Sequence, residues 1–297
     1  MNRYGAIEAG GTWISCATGP QSGPLDASVR LSTGAPAETL AAIIDFFRVQ
    51  PPLTALGIGS FGPVDTHPDS DTWGHILHTP KPGWSHTDLA GPLQEALGLP
   101  VALTTDVLAA ALGEYHYGAG QGSQRLLYLT VGTGIGAGLL RQGQLVHALA
   151  PPEMGHMRVS RDPAQDPFRG HCPYHGDCWE GLASGPALAA RWGVPAGQLP
   201  ADHAAWELEA DYIAQGLHNL ICAHRPDRIL LGGGVFQQSS LLARVRERLR
   251  DYLGGYLPEP VLCPPGLDGE GALLGAIEWA AQCMEQKRTA PDTREGQ

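Results

Sequence analysis

Between Pro152 and Glu180 the chain gathers thiols, imidazoles and carboxylates at spacings that suit a metal. Pro152-Glu153-Met154-Gly155-His156 is followed by Cys172-Pro173-Tyr174-His175-Gly176-Asp177-Cys178-Trp179-Glu180, all in under thirty residues. Cys172, His175 and Cys178 recur at i, i+3 and i+6, so one tight turn can converge three soft ligands. His156 would complete a Cys₂His₂ tetrahedron suited to zinc and leave no position for water. Such a closed site is structural and would hold a loop rather than do chemistry. His171 competes with His156 for the fourth position, and the sequence does not choose between them. A run of surface histidines beside two incidental thiols is the plainer alternative, but Cys/His clustering at metal spacing weighs against it.

A second chemistry sits in two glycine turns far apart in the chain. Ile7-Glu8-Ala9-Gly10-Gly11-Thr12 and Leu129-Thr130-Val131-Gly132-Thr133-Gly134-Ile135-Gly136 each place glycines and a threonine between two strand-like segments. Glycine lets backbone N–H groups approach phosphate oxygens, and threonine adds a hydroxyl donor. Either turn alone could be only a turn. As a pair, with Gly232-Gly233-Gly234 after a third buried strand, they suggest a nucleotide held in a cleft between two α/β lobes. No G-x-x-x-x-G-K-[ST] occurs, which excludes a P-loop kinase. The second turn lacks the helix and downstream acid of a dinucleotide fingerprint, which argues against a Rossmann enzyme.

The elements that must carry these groups follow from hydrophobic period and breakers. Strands are expected at 4–9, 13–18, 55–59, 101–104, 126–131, 135–140 and 228–231. Helices are expected at 36–49, 89–97, 107–115, 185–192, 204–224, 240–252 and 269–285, with an irregular stretch over 64–86. The domain reading is a first lobe over 1–116, rejoined by a C-terminal helix at about 272–286. A second lobe covers 117–271 with the metal loop at 153–180, and the polar end, 287–297, reads as a disordered tail. A chain of 297 residues can bury such cores, and 40 glycines and 25 prolines mark many loops. The net charge of -11 disfavours nucleic acid as a partner. No apolar run reaches the length of a membrane span. The absence of a signal segment and the six scattered cysteines fit a cytoplasmic protein without a disulfide framework.

Taken together, these motifs resemble the ROK family of sugar kinases and repressors, and within it the zinc-containing bacterial fructokinases. The resemblance spans Glu8 to about Glu278. It rests on Glu8-Ala9-Gly10-Gly11-Thr12, Thr79-Pro80-Lys81-Pro82-Gly83-Trp84, Thr105-Asp106, Ala109 to Glu114, Gly132 to Gly136, Pro152 to His156, the Cys/His knuckle, Gly181 to Pro186 and Leu231 to Val235. It implies a two-lobed actin-like ATPase (ribonuclease H-like) fold with nucleotide and sugar in the interlobe cleft. It further implies ATP-dependent phosphorylation of a hexose, fructose to fructose 6-phosphate, with ATP, Mg²⁺ and structural Zn²⁺ and a homodimeric assembly.

By the same resemblance, Asp106 is the general base that takes the sugar hydroxyl proton. On its own, the favoured reading of this aspartate is a helix cap. Glu153, His156, Glu180 and Thr105 match sugar-binding positions. Gly10, Gly11, Thr12, Thr133, Gly134, Pro186, Gly233, Gly234, Val235, Phe236 and Gln237 match nucleotide-binding ones. His156, Cys172, His175 and Cys178 match the zinc ligands. The chain departs from the family in three places: Glu8 replaces the usual aspartate, Trp13 a lysine, and Leu108 an asparagine two residues after the base.

Mannose or glucose kinase is the nearest alternative activity, since sugar choice turns on a few hydrogen bonds. A non-catalytic sugar-binding regulator is the alternative of a different class. The family's repressors carry a DNA-binding module ahead of the first glycine turn, and only seven residues precede Glu8 here. No nucleic acid and no membrane partner are expected.

Overall fold

The computed structural model describes residues 2–146 and 150–289 and divides the chain into two units. The first contains residues up to His116 and those from Leu267 onward, and the second runs from Tyr117 to Val146 and from Pro152 to Gly266.

In the first unit, β1 (Arg3–Ala9), β2 (Trp13–Pro20) and β3 (Ala27–Ser32) form an antiparallel meander. After α1 (Pro36–Arg48), β4 (Ala55–Ser60) pairs parallel to β1. The 64–86 stretch is mostly irregular, and β5 (His75–Ile76) pairs with β6 (Thr87–Asp88) across its end. Next come α2 (Ala90–Leu97), β7 (Val101–Thr105), parallel to β4, and α3 (Asp106–Tyr117). Sheet order is β3-β2-β1-β4-β7. Alternation along β1 sends Ile7 and Ala9 to one face with Ile43 and Phe47 of α1 and Leu93 of α2. Tyr4 and Ala6 go to the other face, against the C-terminal helix.

The second unit repeats this plan. β8 (Arg125–Val131), β9 (Ile135–Arg141) and β10 (Gln144–Leu145) form the meander. Then follow α4 (Trp179–Ala183), α5 (Gly185–Trp192), α6 (Ala205–His224), β11 (Arg228–Gly232), α7 (Leu241–Leu253) and β12 (Val261–Cys263). Sheet order is β10-β9-β8-β11-β12, with β8, β11 and β12 parallel. Its core joins Leu127 and Leu129 of β8 to Trp206, Ile213 and Leu217 of α6 and Val245 and Leu249 of α7. The chain then returns to the first unit as α8 (Gly271–Thr289), where Ala276, Ile277 and Ala280 pack on the sheet.

Two expectations change. The stretch expected to be a tail from 287 begins inside α8, because Lys287 and Arg288 suit a helix C-terminus and Thr289 Oγ1 donates to the Glu285 carbonyl at 3.0 Å. The remaining expected tail, 290–297, lies outside the described residues. β3 and β12, which hydrophobic pattern did not single out, close the outer edges of their sheets. No cysteine forms a disulfide. Among the described residues no helix is long and apolar enough to cross a membrane.

Candidate active site and metal centre

In the first unit, Gly10, Gly11 and Thr12 join β1 to β2. The Gly10 N–H donates to the Trp13 carbonyl at 2.9 Å, which turns the chain back on itself. Gly11 and Thr12 are exposed, so their backbone is open to a ligand. Thr33, which the sequence reading did not single out, secures this turn from β3's end. Its Oγ1 donates to the Gly10 carbonyl at 2.8 Å and its N–H to the Thr12 carbonyl at 3.0 Å.

Glu8 precedes the turn. Burial raises its carboxyl above the ordinary value, partly offset by a hydrogen bond from Ser15 and the charge of Arg30. Trp13, in place of the family's lysine, is half exposed and carries the Arg30 guanidinium 4.8 Å from its ring centre, a cation–π contact.

Asp106 opens α3 immediately after β7. The capping role that competed with catalysis falls to its neighbour, because Thr105 Oγ1 accepts the Leu108 N–H at 3.2 Å. Asp106 Oδ1 accepts the adjacent Val107 N–H at 2.9 Å. Thr105 is buried at 7 % exposure. Leu108 is buried too, at 7 % exposure.

The second unit assembles the remaining residues around its own hairpin. The Gly132 N–H donates to the Gly134 carbonyl at 2.9 Å, and Thr133 is exposed at the tip. Glu180 Oε2 accepts the Ile135 N–H at 2.9 Å, where β9 begins. A Cβ on Gly134 would stand 2.6 Å from that oxygen, so a glycine is needed for the carboxylate to reach the strand. Pro186 lies in the first turn of α5, whose Gly185 N–H donates to the Gly132 carbonyl at 2.7 Å.

Gly233 and Gly234 follow β11 and are exposed. Val235 is buried at 2 % exposure, so only its backbone can meet a ligand. Phe236 packs partly on the core and Gln237 is exposed.

Glu153 and His156 flank a short 3₁₀ turn over Met154–His156. It docks on β9 because Gly155 has no side chain: a Cβ there would collide with the Ile135 carbonyl. Desolvation raises the Glu153 carboxyl above its usual range, His156 opposes the shift and Glu180 adds to it. A cation bound nearby would act in the lowering direction.

His156, Cys172, His175 and Cys178 bring one ligand atom each within 4.8 Å of one another. His156 Nδ1 lies 3.5 Å from Cys178 Sγ, and Cys172 Sγ lies 3.8 Å from His156 Nδ1 and 3.7 Å from His175 Nδ1. Zinc–ligand bonds of about 2.0–2.3 Å require about 3.3–3.8 Å between ligand atoms along a tetrahedron's edges, and these three separations fit zinc. Its chemistry fits as well. Burial, with Cys172 alongside, pushes the Cys178 thiol up to about 11 despite the Gly181 N–H, and a divalent cation favours thiolates that such surroundings oppose. His171 is not among the four. Its backbone N–H donates to the Gly181 carbonyl at 2.8 Å.

The family model described as ROK family matches residues 4–283. A fructokinase of Pediococcus pentosaceus is 42 % identical over 285 residues, covering 95 % of this chain and 98 % of its own. A ROK hexokinase from Thermus thermophilus superposes with a TM-score of 0.79 at 28 % identity, over 96 % of this chain and 99 % of that one. A ROK glucokinase from Streptomyces griseus, solved with glucose and AMPPNP, gives 0.74 at 27 % identity, over 95 % and 100 %.

Proposed function

This chain belongs to the ROK family, and from that premise we propose that it is an ATP-dependent hexose kinase that converts fructose to fructose 6-phosphate. Full-length similarity at about two-fifths identity to a fructokinase supports the sugar. The family's glucokinase with bound glucose and a nucleotide analogue supports the two-substrate reaction. The observation that carries the reading lies in the second unit. Glu180 holds the start of β9 beside Gly134, two residues after Cys178, and Gly155 docks the Glu153–His156 turn onto the same strand.

In this reading Asp106 accepts the proton of the sugar hydroxyl as that oxygen attacks the γ-phosphorus of ATP. Glu153, His156, Glu180 and Thr105 bind sugar hydroxyls and fix which one is presented. The turns Gly10–Thr12 and Thr133–Gly134, with Pro186 and Gly233 to Gln237, offer backbone donors to the nucleotide. Magnesium supplies charge neutralisation to the triphosphate. Zinc, held by His156, Cys172, His175 and Cys178, would supply an anchor for the loop that bears Glu153 and Glu180. The expected assembly is a homodimer, which sedimentation of the purified chain tests.

Incubation with fructose and Mg-ATP, followed by ³¹P NMR, should show ADP and fructose 6-phosphate rising together. Phosphate appearing on a different sugar position, or ADP formed without a sugar phosphate, would refute the assignment.

A further inference from the structure

The Thr79-Pro80-Lys81-Pro82-Gly83-Trp84 segment has no part in the chemistry above, yet it makes a closed set of contacts within the first unit. Ser85 pins its start: the hydroxyl donates to the Thr79 carbonyl at 2.9 Å and accepts the Thr79 N–H at 3.1 Å. Two side chains then reach the turn that follows β3. Lys81 Nζ donates to the Thr33 carbonyl at 3.0 Å, and Trp84 Nε1 donates to the next carbonyl, that of Gly34, at 2.9 Å. Trp84 is fully buried, and its ring meets Phe61 edge-on with centroids 5.6 Å apart. Phe61 in turn donates its N–H to the Ala9 carbonyl at 2.7 Å.

Thr33 is the residue that bonds Gly10 and Thr12. Both sides of the glycine turn are therefore tied to one segment, through Phe61 at Ala9 and through Thr33 at Gly10 and Thr12. Core filling explains why the Trp84 ring is buried. It does not explain why Lys81 and Trp84 Nε1 both end on consecutive carbonyls of this one turn.

We infer that Lys81 and Trp84 are positioning residues for the Gly10–Thr12 turn and act on it through Thr33 and Gly34. The inference rests on the proposed reading of that turn as a nucleotide cradle. Glycine-rich backbone has many conformations to lose when it closes on a phosphate. A turn already held in its binding shape loses fewer, so nucleotide binds more tightly. Lys81 suits the task because an ammonium forms a stronger bond to a carbonyl than a neutral donor does.

The test compares Lys81→Met, which keeps the stem and removes the charged donor, with Thr33→Val, Lys81→Arg and the Lys81→Met/Thr33→Val double variant. Calorimetry reads the Kd for Mg-AMPPNP, steady-state kinetics read KM for ATP and fructose, and thermal denaturation reads stability. Each single loss should raise Kd and the ATP KM by about tenfold, with the fructose KM changed by less than about twofold. Lys81→Arg should recover most of the affinity. The double variant should fall short of the product of the singles, because both act on one brace.

A rise in fructose KM alone would overturn the inference by placing Lys81 on the sugar. So would lowered melting with unchanged nucleotide affinity, or fully multiplicative single effects. A wild-type chain that binds nucleotide but phosphorylates no sugar defeats the proposed function alone, since the Kd series still reads the brace.

Discussion

At Asp106 the structure separates two uses of a carboxylate that the sequence leaves superimposed. Thr105 Oγ1 caps α3, and Asp106 Oδ1 accepts the Val107 N–H, a bond that asparagine can keep. Asp106→Asn should therefore melt like the wild type while kcat falls about 10²–10⁴-fold, the usual cost of losing a general base. Near-normal turnover in that variant would remove Asp106 from the chemistry. Thr105→Ala should lose about 1 kcal/mol of stability from the helix end, read by denaturant titration. Leu108 belongs to the same helix and is buried. Leu108→Asn should lower stability, since burying a leucine contributes about 1.5–3 kcal/mol, and leave kcat/KM unimproved. A rise in kcat/KM without a drop in melting would show instead that leucine impairs the sugar site. Asp106 was legible as a candidate base through the family resemblance, since a strand-to-helix junction alone favours a cap. Which of two adjacent side chains caps the helix depends on χ angles that no spacing encodes.

At the scale of elements, the metal loop is the clearest case of sequence carrying structure. Ligands at i, i+3 and i+6 need only one tight turn, and the turn forms around Cys172 and Gly176, whose N–H groups bond each other's carbonyls. Spacing left the fourth ligand open between His156 and His171, the family resemblance pointed to His156, and Gly155 docking against β9 brings the turn of His156 to the strand. Zinc should copurify at one per chain, read by elemental analysis, and Cys178→Ser should lose it. Chelation should lower melting temperature and fructose affinity together, since the loop bearing Glu153 and Glu180 loses its anchor. Retained zinc in Cys178→Ser would contradict the site. Thr33 escaped the sequence reading because a lone threonine after an edge strand has no motif, and only the β2–β3 register brings it back to Gly10. A second buried polar group escaped it on α6. Glu209 is fully buried with no hydrogen-bond partner for its oxygens among the described residues, and desolvation raises its carboxyl well above the ordinary value, opposed by Arg191. A raised carboxyl means the folded state binds the proton longer, so stability is lost as pH climbs past the unfolded value near about 4.3. Glu209→Gln should flatten that decline and stabilise the protein at neutral pH. Unchanged pH dependence of unfolding would contradict this account.

For the whole chain, the repeated glycine turn is what made the architecture readable. Each turn opens an antiparallel meander that continues into parallel strands, giving β3-β2-β1-β4-β7 in one unit and β10-β9-β8-β11-β12 in the other. The buried strands announced themselves by apolar runs, whereas β3 alternates between half-buried and exposed residues and β12 is only three residues long. Such edges are defined by their partners more than by composition. The C-terminal helix expected over about 272–286 runs as α8, where Ala276, Ile277 and Ala280 meet strand residues far upstream. The measurement that tests the central claim most directly is kcat/KM with saturating Mg-ATP across fructose, glucose, mannose and N-acetylated hexosamines. Fructose should lead the panel, with its kcat lowered about 10²–10⁴-fold by Asp106→Asn. Equal or better use of another sugar would contradict the assignment to fructose, and absence of turnover on every sugar would contradict the assignment as a kinase.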